Sequence, residues 1–133
     1  MTRRLRIWLI ASLVVLMAIS TVCYYRLVIW PRDNFRKVCE NPASTENEMR
    51  EAIHKLIAWN GSGSHDGFIM LESIGNESSV PLLIRSLGRA PEKDRKSGHV
   101  MCTWGHCKDA LVAITGEDFG YDVEKWKAWH RKQ

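Results

Sequence analysis

The chain of 133 residues has neither an aspartate nor a glutamate among its first thirty positions, and residues 7–25, "IWLIASLVVLMAISTVCYY", carry no charge at all. The formal charge of +4 originates there. Four of the nineteen basic side chains (Arg3, Arg4, Arg6, Arg26) lie in those thirty residues, and the other fifteen face fifteen acidic ones. The remainder of the chain therefore lacks the basic surplus of a nucleic-acid footprint, which excludes nucleic acid as a partner. No stretch shows the period-two alternation of a half-buried strand, which excludes sheet architectures. Cysteine and histidine are scarce, four and five in all, yet "HVMCTWGHC" (99–107) holds two of each. That stretch decides whether metal or thiol chemistry is expected.

Nineteen uncharged residues at about 1.5 Å each span roughly 28 Å, close to the hydrocarbon thickness of a bilayer. Trp8 lies near one end of the run and Tyr24, Tyr25 and Trp30 near the other, as amphipathic rings do at the two interfaces. Residues 1–30 are accordingly expected to form an amino-terminal membrane anchor. The competing reading is a signal peptide cleaved near Ser20, after the small residues Ala18 and Ser20. The apolar run continues beyond that point through "TVCYY" and "LVIW", which favours the uncleaved anchor. Lipidation at Cys23 is disfavoured by the bulky Val22 before it. Basic residues flank both ends, so their count does not fix orientation. A short basic tail held in the cytoplasm would put the following domain outside it.

Residues 31–44, "PRDNFRKVCENPAS", have two prolines, mixed charge and no sustained period, and read as a linker. Residues 45–133 read as one helical domain. Thr45 with Glu48 three residues on has the spacing of a capping box. Met49, Ala52, Ile53, Leu56 and Ile57 follow at helical spacing, so a helix is expected over residues 46–59. "NGSGS" (60–64) ends it. Ser64 opens a second helix with Phe68, Ile69, Leu71 and Ile74, closed by Gly75-Asn76. "SSVP" starts a third, which runs through Leu87 to Gly88. "RAPEKDRKSG" (89–98) reads as a charged, mobile loop. A fourth helix is expected over residues 99–115, ending at Gly116, and Asp122 caps a short fifth bearing Trp126 and Trp129. The fold class is all-α: helical hairpins at a pitch of thirty to forty residues, the unit of a short α-α superhelix.

The stretch from "DGFIMLESIGNESSVPLLIRSL" to "CTWGHCKDALVAITGEDFGYDVEKWKAWH" resembles bacterial HEAT-like, armadillo-type repeat proteins. A short turn feeds a proline-started helix at "SSVPLLIRSL". The ending "ALVAITGEDFGYDVEKWKAWH" is similar to their closing segment, with a helix ending in Thr-Gly, a Phe-Gly turn and a tryptophan-bearing cap. The resemblance covers residues 66–130 and implies about two hairpins plus a capping helix whose surfaces bind other proteins. Two repeats are fewer than a solenoid usually needs, so the stack would be completed by a partner or by self-association.

On a helix over residues 99–115, Val100, Trp104, Cys107, Leu111 and Ile114 form one apolar stripe, which makes Cys107 a buried small hydrophobe. His99, Cys102 and His106, at i, i+3 and i+7, form a second stripe. Imidazole and thiolate both suit zinc, but the outer two lie about 10 Å apart along the axis, and a fourth ligand such as His65 would come from elsewhere. A Cys102–Cys107 disulfide is disfavoured within a regular helix, while Cys39 could reach either cysteine in an oxidising compartment. "SHDG" (64–67) is a turn and cap, since adjacent residues cannot face one another as a triad. Glu51-x-x-His54 is half of a di-iron motif with no second half. Asn60-Gly-Ser and Asn76-Glu-Ser fit the glycosylation acceptor pattern.

These readings add up to a membrane-anchored, non-enzymatic interaction module with no cofactor, its partners being the bilayer through residues 7–25 and another protein. Trp104, Leu111, Ile114, Phe119, Trp126 and Trp129 are expected as core and cap. The alternative is a metal or thiol-redox protein using the 99–107 cluster.

Overall fold

The computed structural model describes residues 3–59 and 64–133, the side chain of Trp59 aside. The turn expected at "NGSGS" falls largely on residues 60–63, outside the described residues, as does most of Asn60-Gly-Ser. The described residues are all-helical with no strand. The helices are α1 (Arg3–Tyr24), α2 (Trp30–Glu40), α3 (Glu46–Trp59), α4 (His65–Ile74), α5 (Val80–Leu87), α6 (Glu92–Ser97), α7 (Cys102–Thr115) and α8 (Val123–His130).

Helix α1 is long and apolar enough to cross a membrane, a property that signal sequences share. It does not stop at the end of the apolar run. A π-helical segment, Tyr25–Ile29, joins it to α2, so one helical path of 38 residues extends from Arg3 to Glu40. Pro31 stands in the first turn of α2. A proline there has no N–H to give, and its ring crowds the carbonyl four residues earlier; the wider π turn just before it absorbs that conflict. The segment expected as a linker is therefore corrected over residues 31–40. It is helix, with Pro31 buried and Phe35 packed against the core, and it lies along α3. The cue of two prolines misled because one sits where helices tolerate it.

Helix α3 begins with the reciprocal cap: Thr45 N donates to Glu48 Oε2 (2.8 Å) and Glu48 N donates to Thr45 Oγ1 (3.3 Å). The bonds its carboxylate accepts from Thr45 N and from the Thr45 hydroxyl (2.9 Å) hold Glu48 below its ordinary range. Helix α4 returns antiparallel to α3. Arg50, early in α3, donates to the carbonyl of Ile74 at the end of α4 (2.7 Å), and the Cα of Gly67 in α4 faces Ile53, Leu56 and Ile57. Helix α5 runs parallel to α3, because His54 meets Ser79 before α5 and Arg89 after it donates to the carbonyls of Ile57 and Ala58. Helices α4 and α7 are also parallel: Phe68 stacks near Trp104 with ring centroids 6.4 Å apart, Glu72 meets His106, and Gly75 abuts Ile114. Helix α8 closes on α5.

The core between these helices contains Ile53, Ile57, Phe68, Leu71, Leu83, Leu87, Cys107, Leu111 and Trp126, all fully buried. Each large apolar side chain among them contributes about 1.5–3 kcal/mol by leaving water. Two further differences from the sequence reading concern the region before α7. "EKDRKS", expected as loop, is the one-and-a-half-turn helix α6, supported by Lys96–Glu92 at i, i+4 (2.6 Å). Helix α7 begins at Cys102, not His99. Gly98 (φ +75°) ends α6 in the left-handed region, and Met101 is extended before the first turn.

Two glycines on this frame respond oppositely to a methyl group. A Cβ at Gly75 would overlap the Leu71 carbonyl oxygen and the Ile114 side chain, whereas at Gly105, inside α7, it would meet only the Tyr121 hydroxyl at 3.9 Å. Gly75→Ala is expected to destabilise by about 1–3 kcal/mol and Gly105→Ala to stabilise by about 0.4–1 kcal/mol. Urea unfolding followed by helical circular dichroism checks both, and equal effects would contradict the close approach at Gly75.

Candidate functional site

Helix α7 divides the residues of "HVMCTWGHC" among different surroundings. Trp104 and Cys107 turn inward; Cys107 is fully buried, and its thiol donates to the Leu83 carbonyl at 3.3 Å. Burial pushes that thiol far above its ordinary range. Cys102 is exposed on the first turn. His99 precedes the helix and is also exposed, its N–H donating to Ser97 Oγ (3.2 Å). The expected i, i+3, i+7 stripe of His99, Cys102 and His106 therefore loses its first member, because the helix that would align it has not yet begun. Cys23, Cys39, Cys102 and Cys107 are all free thiols. Cys39 is half-buried on α2, and burial raises its pKa.

His106 is brought to other partners. Its Nδ1 lies 2.8 Å from Glu72 Oε1 on α4, 34 residues earlier in the chain, and both side chains are about one-third exposed. The ring of His65, on the first turn of α4, stands edge-on to that of His106, with centroids 4.9 Å apart and planes at 87°. Asp109, one turn after His106, completes a group: one ligand atom each from Glu72, His106 and Asp109 lie within 4.8 Å of one another. Lys108 pairs with Asp109, whose carboxylate raises the lysine pKa. Periodicity within α7 finds His106 and Asp109. Glu72 is found only by noting that residues 65 and 72, seven apart, share one face of α4.

The residues expected as core and cap occupy the other side. Trp104, Leu111 and Trp126 are buried, while Ile114, Phe119 and Trp129 are partly buried against the core. Trp126 Nε1 donates to the Gly120 carbonyl at 2.9 Å, and Phe119 and Trp129 meet its ring edge-on. Between α5 and α8 is an open groove of about 500 Å³. Ile84, Val123 and Pro81 line its floor, and Arg85, Lys127 and Arg131 stand at its edge.

His54, the histidine of the half motif Glu51-x-x-His54, is half-buried on α3 with Nε2 2.7 Å from Ser79 Oγ. Burial, and secondarily the charge of Arg50, hold its pKa below the ordinary 6.5. His65 and Asp66 of "SHDG" pair at 3.2 Å (Nδ1 to Oδ1), and Ser64 is buried at the N-terminus of α4, its carbonyl accepting from Phe68 N. No protein-family model, curated protein or solved structure matches the chain.

Two measurements follow from this placement. In the folded chain a thiol reagent is expected to modify Cys102 rapidly and Cys107 only after denaturation, so Cys102→Ser removes the fast phase; rapid modification of Cys107 would contradict its place in the core. The His54 shift carries a sign. Below pH about 6.5 the unfolded chain takes up a proton that the folded one holds off. Stability therefore falls as pH drops from 6.5, and His54→Gln should flatten that fall, which unfolding curves between pH 5 and 7.5 check.

Proposed function

We propose that the chain is a membrane-anchored, non-enzymatic interaction module that docks another protein in the groove between α5 and α8. The observation that carries the reading is that groove, with its apolar floor and its arginine and lysine edge, a surface suited to a side chain with an apolar body and an acidic flank. Its lining, among the described residues, is apolar and basic, which supports a role in recognition.

The helices are read as about two HEAT-like hairpins capped by α8. Support comes from the antiparallel α3–α4 pair and from the parallel runs of α3 with α5 and of α4 with α7, the alternation by which a helical solenoid adds units. Helix α1 is read as an uncleaved anchor. Ala18, Ile19 and Ser20 lie inside a helix that continues into the domain, and removing residues up to 20 would leave the remaining apolar turns exposed. With Arg3, Arg4 and Arg6 holding their end of the span in the cytoplasm, the domain lies outside it. The path of 38 residues is about 57 Å long, nearly twice the hydrocarbon thickness. Because α2 is packed on α3, the domain stands at the bilayer in one fixed attitude. Lys55 of α3 lies 6.0 Å from the ring centroid of Trp30, at the membrane end of that joint.

A photo-crosslinking residue placed at Arg85 or Lys127 of the full chain, in its native membranes, is expected to form an adduct of defined mass; the same residue at Ala113, exposed on α7, should not. An adduct at twice the chain mass identifies a second copy as the occupant. With the probe at Lys127, reversing the charge of Arg85 and Arg131 should lower the yield by about tenfold or more. Adducts equally strong at Ala113, or none at the groove, would sink the reading.

A further inference from the structure

Glu72, His106 and Asp109 come from two helices that pack along each other through Phe68, Leu71, Trp104 and Leu111, so their positions are set by a rigid pair and not by a loop. One nitrogen and two carboxylate oxygens within 4.8 Å of one another need to close to roughly 3.4 Å to share an ion at zinc-like distances of about 2.1 Å. Ordinary side-chain rotation covers that difference. The next imidazole, His65, already touches His106 edge-on. Its Nδ1 pairs with Asp66 Oδ1, and metal-bound histidines usually give their other ring nitrogen to a carboxylate in this way. Its Nε2 is therefore the nitrogen left to ligate. Two imidazoles and two carboxylates make a donor set for a borderline transition ion. Glu72 and His106 are each about one-third exposed, which leaves an entry path and room for water.

We propose that the α4–α7 seam binds one divalent transition-metal ion of the zinc class through Glu72, His106 and Asp109, with His65 as a fourth ligand. The site takes one residue, His106, from the 99–107 cluster and leaves out His99, Cys102 and Cys107. The ion replaces the hydrogen bond between His106 and Glu72 and displaces Lys108 from Asp109. The ligating nitrogens must be free of protons, so loading is lost as the medium becomes acidic. An ion bridging α4 and α7 binds the folded chain alone and raises its melting temperature. The proposal is independent of what occupies the groove between α5 and α8.

The test uses the full chain in detergent, stripped with a chelator and titrated with Zn²⁺ against a chromophoric competitor at pH 7.5. The wild type is expected to take one equivalent, to melt at a higher temperature with zinc, and to bind at least tenfold more weakly at pH 5.5. Glu72→Gln, His106→Gln and Asp109→Asn should each weaken binding at least tenfold and lose the thermal shift. His99→Gln and Cys102→Ser should bind as the wild type does. A melting curve without zinc shows that each variant folds. The proposal is overturned if the wild type takes no zinc, if folded Glu72→Gln and His106→Gln bind like the wild type, or if Cys102→Ser abolishes binding.

Discussion

The parallel packing of α4 on α7 is the constraint on which the rest of the domain depends. It buries Phe68, Leu71, Trp104 and Leu111 in one layer of side chains and brings Gly75 so close to Ile114 that no β-carbon fits between them. Parallel neighbours cannot be joined by a short turn. The chain must travel back between them, and α5 makes that return, with the charged α6 and the extended residues before Cys102 completing the path. The same contact decides which polar residues meet. His65 and Glu72 lie on the edge of α4 that borders α7, His106 and Asp109 on the edge of α7 that borders α4, so the seam becomes polar where the core ends.

Local signals were legible where they had a local cause. The Thr45–Glu48 box, the Asp122 cap whose Oδ1 accepts from Lys125 N (3.0 Å), and the ends of α4, α5 and α7 all follow from bonds within a few residues. What was not legible depended on contacts distant in sequence. Residues 31–40 have the composition of a linker, and they are helical because Phe35 finds the core and a π turn accommodates Pro31. The start of α7 moved from His99 to Cys102 because Gly98 uses its left-handed freedom to redirect the chain. For the site, a single helix suggested His99, Cys102 and His106 as a stripe; the hydrogen-bond partner that His106 has, Glu72, comes from 34 residues away.

On the proposed reading of α1 as an uncleaved anchor, its continuity through the π segment into α2 bears on how the domain is held. A flexible linker over residues 31–44 would let a domain sample any orientation within its reach. A helix whose far end is packed on α3 would transmit the tilt and rotation of such a span to the domain. Each face of the domain would then keep a fixed height above the bilayer.

The helices fall into two rows, with α3, α5 and α8 in one and α4 and α7 in the other, joined across the core by the contacts of α5 with α7 and of α3 with α4. The groove opens on the first row and the polar seam on the second. The buried layer between the rows includes Leu83, Leu87, Cys107 and Leu111. Such a layer is close-packed and resists shear.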